Sequence, residues 1–250
     1  MTTIAVVTAT IGRPTLRETI ESVRNQTVAC QHYVFVHGKE YSAKANFIVD
    51  DYPDLRVIHL PVNVDRGISG VRGGYGAAPV YAAAGYLVPE DVIFYLDDDN
   101  TYDREHVASV SKLITDYGLG FAYALRRIIS HGGSTICDDN CESLGYFVNA
   151  SFHHIVDSSC LAVRADLARR ASFGWYRRVA SDRHFLAALM DSDTKGGCTG
   201  RHTVNYRLSD DSSAKAVSAE KFHQWNKIML DRFPDGLPWL KPTLQDFRDA

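Results

Sequence analysis

No apolar run in the sequence approaches the roughly 18 residues that a membrane-spanning helix needs. Residues 1–7 place no basic segment ahead of a long apolar stretch, so the pattern of a secretory leader is missing. Cysteine is scarce and odd in number, with five in 250 residues, which argues against a disulfide scaffold. We therefore expect a cytoplasmic protein with no transmembrane segment.

The sequence also lacks an excess of positive charge, with 27 Lys and Arg against 30 Asp and Glu. Nucleic acids and anionic membranes are bound by basic clusters, so neither is expected as a partner. The composition is that of an ordinary globular protein, 45% hydrophobic and 23% charged. This composition excludes disordered, collagen-like and coiled-coil architectures for the chain as a whole, and its length fits one compact domain.

Short apolar runs alternate with helix-like segments along the first part of the chain. Strands are predicted at 4–8, 33–36, 56–60 and 92–96, and helices at 42–50, at 77–87 with an interruption at Pro79, and from Leu16 onward. This alternation predicts an α/β fold with a mostly parallel sheet and right-handed crossovers. Ligands bind beyond the carboxyl ends of such strands, which places residues 8–13 and 97–99 on one rim.

Capping and stop signals place further elements. Thr15 and Glu18 have the spacing of a capping box at the start of the first helix. In the second half, we predict a helix from Asp103 to Gly118, strands at 121–125, 158–163 and 203–208, a hairpin around 131–133, and helices at 181–190 and 219–233. The last helix is expected to bury one face, formed by Phe222, Trp225, Ile228 and Met229.

Three consecutive carboxylates, Asp97, Asp98 and Asp99, follow the predicted fourth strand. Like charges this close raise one another's pKa, and Mg²⁺ or Mn²⁺ relieves that cost through oxygen ligands. Residues i and i+2 of an extended segment project to one side, so Asp97 and Asp99 are expected to share a site while Asp98 turns elsewhere. The alternative is a solvated acidic turn that caps the next helix, but the position at the ligand-binding rim favours a cation site.

Thr10, Arg13 and Pro14 after the first strand, with Asp97 and Asp99 after the fourth, form two matching motifs. Together with the helix that ends at 25–27, they resemble family 2 glycosyltransferases of the GT-A fold. The resemblance is close over residues 1–110 and looser over 155–210.

The resemblance implies a Rossmann-like, mostly parallel sheet flanked by helices, with a smaller acceptor-side lobe and a C-terminal helix. It implies a single domain covering 1–250. Within it, residues 1–102 form the nucleotide-sugar-binding half, 103–215 the acceptor-side half, and 216–250 the C-terminal helix and tail.

The same resemblance assigns roles to the acidic run. Asp97 contacts the ribose or the metal shell, Asp99 coordinates the Mn²⁺ or Mg²⁺ that bridges the donor diphosphate, and Asp98 assists the donor contacts. The residues expected to line the nucleotide pocket are Thr8, Thr10, Arg13 and Arg72. The family usually has an aspartate that reads the nucleotide base where His37 stands here, which leaves the base open.

A base is needed to take the proton of the acceptor hydroxyl, and a positioned carboxylate is typically worth about 10²–10⁴-fold in rate. The resemblance assigns this role to Asp182 at the start of a helix, and with it an inverting displacement. Asp182 could instead be an acid that the helix dipole favours in the first turn. Asp157 and His184 are weaker candidates for the base.

Three further features of the second half are candidates for a site. Some family members carry a late histidine near the metal; Ser209 stands at that position here, and His202 is the nearby substitute as a metal ligand. Cys137 and Cys141, with distant Cys160 and Cys198, could form a zinc site, but their spacing favours ordinary thiols. Trp175 and Tyr176, just before the proposed base, could stack on a sugar or pack in the core.

The sequence thus predicts a metal-dependent, inverting glycosyltransferase that uses a UDP- or GDP-sugar donor. Its acceptor would be a glycan, a lipid-linked saccharide or a small molecule, and a homo-oligomer is compatible with the sequence. The alternatives are a sugar nucleotidyltransferase and a non-catalytic module that binds carbohydrate or nucleotide. The opening loop has only Gly12, whereas a nucleotidyltransferase normally has a glycine-rich loop there.

Overall fold

The computed structural model describes residues 2–63, 76–141, 156–176, 180–209 and 217–246. In this part of the chain the strands form one sheet with helices packed against it. The strands are β1 (Ile4–Thr10), β2 (Gln31–Val36), β3 (Arg56–His59), β4 (Val92–Tyr95), β5 (Thr101–Tyr102), β6 (Phe121–Ile129), β7 (Thr135–Asp138), β8 (Leu161–Arg164), β9 (Lys195–Arg207) and β10 (Thr243–Asp246). The α-helices are α1 (Leu16–Arg24), α2 (Ser42–Val49), α3 (Ala78–Leu87), α4 (His106–Tyr117), α5 (Ala165–Arg170), α6 (Ser181–Met190) and α7 (Ala219–Arg232).

The sheet has the strand order β10-β9-β6-β8-β4-β1-β2-β3, with β5 paired to β9 and β7 paired to β6. Strands β3, β2, β1 and β4 are parallel neighbours, and β6 is parallel to β9. Strand β8 is antiparallel to both β4 and β6, so β6 and β9 point the same way as the first four strands. The predicted α/β class with a mostly parallel sheet is confirmed.

The central strands are buried on both faces. Every residue of β1 and of β4 is buried, which explains why these strands read as continuous apolar runs in the sequence. They pair in parallel from Ile4 with Val92 to Val7 with Tyr95. Their carboxyl ends therefore reach the same rim of the sheet, and the loop after β1 lies beside the acidic run after β4.

The predicted capping box at α1 is wrong. The hydroxyl of Thr15 donates to the carbonyl oxygen of Asp98 at 2.9 Å, and the Glu18 carboxylate pairs with Arg207. Neither side chain therefore caps the helix, since no side-chain cap bond is formed at Thr15. Helix α1 is instead held by the burial of Leu16, Ile20 and other residues of its inner face and by these two links to the rim.

Pro79 does not interrupt α3, contrary to the prediction. The helix runs from Ala78 to Leu87, and Pro79 lies in its first turn, where a missing N–H removes no intrahelical bond. The predicted stop at Gly118 is confirmed, because Gly118 has a φ of 62° and closes α4 in the left-handed conformation.

Strand β9 is longer than the predicted 203–208 segment, since it begins at Lys195. Its first half contains Gly196 and Gly197, which carry no strand signal. At Gly196, an added Cβ would lie 2.3 Å from a ring carbon of Phe121 on β6, so the missing side chain lets the two strands pack closely. The predicted hairpin is confirmed by the pairing of Ile129 with Thr135, whereas Ser158–Cys160 is a 3-10 turn that precedes β8.

The inner face of α7 differs in part from its prediction. Phe222 and Met229 are buried, but Ile228 is 57% exposed. Its place is taken by buried Asn226, which accepts a bond from the main-chain N–H of Asn140 at 2.9 Å and donates to the carbonyl of Asp138. A hydrogen-bonded asparagine thus fixes α7 on the loop after β7. No helix in the described segments is long and apolar enough to cross a membrane.

Candidate active site

A cavity of about 340 Å³ lies at the carboxyl ends of the central parallel strands. Its polar lining is formed by Thr10, Arg13, His37, Asp97, Asp98, Asp99, Tyr206, Arg207 and Ser209. These side chains come from the ends of β1, β2, β4 and β9. The predicted rim is therefore a concave site, within the usual size range of small-molecule pockets.

Asp98 organises the loop after β1. Its carboxylate is 2% exposed and accepts from the hydroxyl of Thr10 and from Nη1 of Arg13, both at 2.6 Å. The main-chain N–H of Ile11 also points at it, at 3.4 Å. These bonds fix the loop, while the neighbouring Asp97 and Asp99 are half-buried and line the cavity.

The surroundings of Asp97 strongly oppose the ionisation of its carboxyl group. Burial raises its pKa to about 8, and the charges of Asp157 and Asp99 add to this increase. The hydroxyl of Tyr81, from α3, donates to Oδ1 of Asp97 at 2.8 Å and opposes part of the increase. A cation in the cavity would favour the ionised form of this carboxylate.

Asp99 is held by two arginines. Its carboxylate lies 3.3 Å from Nη1 of Arg13, and its carbonyl oxygen accepts from Nε of Arg207 at 3.0 Å. Burial raises the pKa of Asp99 despite the nearby charge of Arg13. Arg207 is buried and also donates to the carbonyl of His131 and to Glu18. One guanidinium thus joins α1, the acidic run and the β6–β7 hairpin.

The cavity offers two carboxylates, Asp97 and Asp99, as ligands for a hard divalent cation. No cluster of three or more His, Cys, Asp or Glu side chains in the described ranges is arranged to hold a metal ion. Asp97 and Asp99 could contribute carboxylate ligands from one wall of the cavity. Mg²⁺ is commonly held by one or two carboxylates, with phosphates and water as its other ligands. The donor set therefore fits a metal that binds together with a diphosphate.

Asp182 lies in the first turn of α6, after Ala180 in the left-handed conformation with a φ of 54°. Burial raises the pKa of Asp182, and the charge of Asp157 raises it further. The charge of Asp157 also raises the pKa of Asp97 and of Asp99, but Asp182 is not among the residues that line the cavity. A raised pKa is what a base near neutral pH requires.

Besides Asp182, three predicted site residues lie away from the cavity or outside the described residues. Thr8 is fully buried, shares a hydrogen bond of 3.0 Å with Nε2 of His32, and does not line the cavity. His202 lines a different cavity, beside Asp138 at 3.9 Å. It precedes cavity-lining Tyr206 by four residues of strand, about 13 Å along β9. Arg72 lies outside the described residues.

The cysteines and the aromatic pair have ordinary surroundings. No disulfide joins the five cysteines, all of which the structure describes, and burial raises the pKa of Cys30 to about 11. Cys198 donates to the carbonyl of Trp239 at 3.7 Å. Trp175 is buried and stacks on Phe185 with ring centres 4.4 Å apart, whereas Tyr176 is 78% exposed. Trp175 is therefore a packing residue.

Sequence reasoning missed Tyr81, Tyr206 and Arg207 as site residues. Tyr81 gives no signal, because one tyrosine in an alanine-rich helix looks like core. Tyr206 and Arg207 lie near the end of the strand predicted at 203–208; the resemblance places the following Ser209 near the metal but gives neither of these two residues a role. A strand that ends in a charged residue is the signal that could have indicated this.

Comparison with protein families finds no family model that matches. A protein of Haemophilus influenzae, described only as an uncharacterized protein, is 34% identical over 121 residues, which cover 42% of this chain and 80% of its own length. The chain belongs to the same family as this Haemophilus protein.

Solved structures share the fold over nearly the whole chain. Staphylococcus aureus TarS 1–349 in complex with UDP has a TM-score of 0.61 at 12% identity, over 94% of this chain and 72% of its own. A Pyrobaculum calidifontis mannosyltransferase in complex with GDP-Man and Mn²⁺ has a TM-score of 0.51 at 14% identity, over 90% of this chain and 59% of its own. The chain therefore has a GT-A-like glycosyltransferase fold, which confirms the predicted fold class.

Proposed function

We propose that this chain is a metal-dependent, inverting glycosyltransferase of the family 2 type, which transfers a sugar from a nucleoside-diphosphate donor to a hydroxyl group. The observation that carries the proposal is the pair of half-buried carboxylates, Asp97 and Asp99, in a cavity that Arg13 also lines. This arrangement places negative ligands for a cation beside a positive group for a diphosphate.

The solved structures that share the fold support the choice of donor. TarS 1–349 has been solved with UDP and with UDP-GlcNAc, and the Pyrobaculum mannosyltransferase with GDP-Man and Mn²⁺. We therefore propose a UDP- or GDP-sugar as donor, and a glycan, a lipid-linked saccharide or a small molecule as acceptor.

Asp97 and Asp99 would hold the Mn²⁺ or Mg²⁺. When bound, the ion supplies positive charge to the departing diphosphate. The guanidinium of Arg13 is about half exposed and adds charge on the same side of the cavity. Asp98 holds this loop through 2.6 Å bonds from the hydroxyl of Thr10 and from the guanidinium of Arg13.

Asp182 would take the proton of the acceptor hydroxyl as the sugar is transferred. Burial and the charge of Asp157 raise its pKa, which brings it nearer the pH at which a general base works best. A base on the face opposite the leaving diphosphate gives inversion at the anomeric carbon. The anomer of the product, read by NMR, tests this part of the proposal.

The donor site is tested by calorimetry of the whole chain with UDP and GDP, with and without MnCl₂. Asp99→Asn should weaken Mn²⁺-dependent binding at least about tenfold, because it removes a charged metal ligand. Asp116→Asn is the matched control, since Asp116 is an exposed carboxylate paired with Lys112 on the surface of α4. Unchanged binding in Asp99→Asn contradicts the metal assignment.

The base is tested separately. Asp182→Asn should keep the affinity for UDP or GDP within about threefold and lose about 10²-fold or more in turnover. Retained turnover would move the base to another residue. Preferential binding of a nucleoside triphosphate would favour a nucleotidyltransferase, and donor binding without turnover on any acceptor would favour a binding module.

A further inference from the structure

The interior of the molecule holds a charged network beside the cavity, centred on Arg126 of β6. The guanidinium is only 9% exposed, and within the described residues it makes two ion pairs: Nε with Oδ2 of Asp139 at 2.9 Å, and Nη1 with Oδ2 of Asp157 at 2.7 Å. Its carbon lies 4.5 Å from the ring centre of Tyr206 and 5.6 Å from that of Phe222. Two carboxylates and two aromatic faces thus fix one buried cation.

Asp139 is the fixed end of this network. It is fully buried, and its other oxygen accepts from the main-chain N–H of Cys141 at 2.9 Å. The main-chain N–H of Asp139 in turn donates to the carbonyl of Arg126 at 3.0 Å. Asp139 is therefore bonded to the main chain of β6 and of the loop after β7, and it supports Arg126 from there.

Asp157 is the end of the network that faces the site. Its Oδ1 accepts from the main-chain N–H of Ser159 at 2.9 Å, and the hydroxyl of Ser159 accepts from Nδ2 of Asn100 at 2.9 Å. The main-chain N–H of Asp97 also points at this hydroxyl, at 3.4 Å. The turn that follows Asp157 is therefore bonded to Asp97, which begins the acidic run, and to Asn100, which follows it.

We propose that Arg126 is a positioning residue for the transfer reaction: its buried guanidinium fixes the Asp157 carboxylate, whose turn is hydrogen-bonded to the acidic run. The inference rests on the proposed function, because it assigns Asp182 the role of base. A bidentate arginine suits this task, since its planar fork can hold two carboxylates at once whereas a lysine presents a single point charge.

The charges around Asp182 give the proposal a distinctive signature. Among the described residues, the charges with the largest effect on it are those of Asp157, which caps the 3-10 turn, Arg183 on its own helix and Arg126 on β6. Loss of the positive charge of Arg126 should raise the pKa of Asp182, and loss of the negative charge of Asp157 should lower it. Opposite shifts show that both charges act on Asp182, and a lower kcat at unchanged affinity for UDP or GDP tests the positioning role.

The experiment uses the whole chain and carboxyl ¹³C NMR of labelled aspartate, with the Asp182 signal identified by its absence in Asp182→Asn. Arg126→Gln should raise the pKa of Asp182, and Asp157→Asn should lower it by more, because the charge of Asp157 has the larger effect on Asp182. The pKa of Asp182 in the double variant should lie between that of Asp157→Asn and that of the wild type.

Turnover is followed as release of UDP or GDP from UDP-GlcNAc or GDP-mannose with MnCl₂. Arg126→Gln should lower kcat at least about tenfold and move the rising limb of the kcat–pH profile to higher pH, while the affinity for UDP or GDP stays within about threefold. Arg126→Lys should recover much of the pKa shift and less of the rate, since it restores the charge without the fork.

The matched control is Arg127→Gln, the next residue on β6. Arg127 pairs with Asp103 and Asp138 and lines the other cavity, so this variant should match wild type in pKa and turnover. A folded Arg126→Gln with unchanged turnover and unchanged Asp182 pKa overturns the proposal. If Arg126→Gln does not fold, Asp157→Asn decides, and an unchanged Asp182 pKa in that variant likewise overturns it.

Failure of the proposed function gives a different result. In that case the wild-type chain neither binds UDP or GDP with Mn²⁺ nor releases them from a donor, whatever the NMR titrations show.

Discussion

Tyr81 donates its hydroxyl proton to Oδ1 of Asp97 across 2.8 Å, which ties helix α3 to the acidic run. Burial raises the pKa of Tyr81 well above its ordinary value, so the phenol stays protonated and remains a donor. The ring is fixed by Tyr95 and Trp175, with ring centres 5.1 and 5.4 Å away. The orientation of a proposed metal ligand therefore depends on an aromatic cluster in the core.

Tyr81→Phe removes this bond and keeps the ring. We expect a loss of about 1 kcal/mol in the free energy of unfolding and about three- to tenfold weaker Mn²⁺-dependent binding of UDP or GDP. Urea unfolding and calorimetry measure the two effects. Tyr117→Phe, at a 59% exposed position on α4, should change neither. Full affinity in Tyr81→Phe would show that Asp97 does not need this donor.

Asp98→Asn should destabilise the fold as well as the site. The buried Asp98 carboxylate accepts two 2.6 Å bonds, one of them from the charged Arg13. We expect a loss of about 2 kcal/mol on urea unfolding, because hydrogen bonds to charged groups are worth more than neutral ones. Asp51→Asn removes an exposed ion pair with Arg17 and should cost less than about 1 kcal/mol. Equal losses in the two variants would contradict the structural role of Asp98.

Arg207→Lys should break contacts that join parts of the rim to one another, while it keeps the positive charge. A lysine cannot reach Glu18, the Asp99 carbonyl and the His131 carbonyl together, as the guanidinium does. We expect a fall of several degrees in melting temperature and about tenfold weaker binding of UDP or GDP with Mn²⁺. Arg201→Lys, at an exposed position on the same strand, serves as the control. A melting temperature like that of wild type in Arg207→Lys would show that one contact is enough.

Two buried histidines predict how stability depends on pH. Burial lowers the pKa of His32 and of His106 from 6.5 to about 3. Below pH 6.5 these two imidazoles therefore become protonated in the unfolded chain, whereas in the folded chain they stay neutral until about pH 3. Their contribution to stability is complete above pH 6.5 and is lost as the pH falls toward 3.

Each of these histidines contributes about 1.4 kcal/mol per pH unit within that window. Urea unfolding between pH 6 and pH 5 should therefore show a slope that His106→Gln reduces by about one proton. His223→Gln, at an exposed position on α7, should leave the slope unchanged. An unaltered slope in His106→Gln would mean that this imidazole is protonated in the folded protein.

Gly196→Ala tests the close approach of β9 to β6. The new Cβ would lie 2.3 Å from the ring of Phe121, so that the ring or the strand has to move. We expect a loss of about 1–3 kcal/mol on urea unfolding. Gly132→Ala is the control, because its Cβ would meet no atom closer than 4.0 Å. Wild-type stability in Gly196→Ala would show that the sheet adjusts freely.

Much of the first half could be predicted from the sequence because its strands are buried on both faces. A parallel strand such as β4 reads as a short apolar run, and the acidic residues that follow it are then placed at the rim by topology alone. The second half was harder, since β9 begins with glycines and is defined by its packing on Phe121. The strand propensity of the individual residues does not predict such a contact.

The roles of polar side chains were predicted less well than their positions. Thr15 and Glu18 have the spacing of a cap, but Asp98 and Arg207 bind them more favourably through contacts across the fold. His202 is close in sequence to the predicted metal site, but it lies four residues of extended chain before the cavity-lining Tyr206 and lines a different cavity. The contacts of these side chains therefore depend on residues that are distant in the sequence.

The ion pair between Glu18 and Arg207 joins residues 189 positions apart. A ribosome has therefore synthesised most of the chain before the first helix can meet its partner at the rim. Until then the acidic turn lacks one of its two arginine supports, whatever the early strands have already formed. The lining of the cavity is thus complete only after the end of β9 has been synthesised, because Arg207 is one of the lining residues.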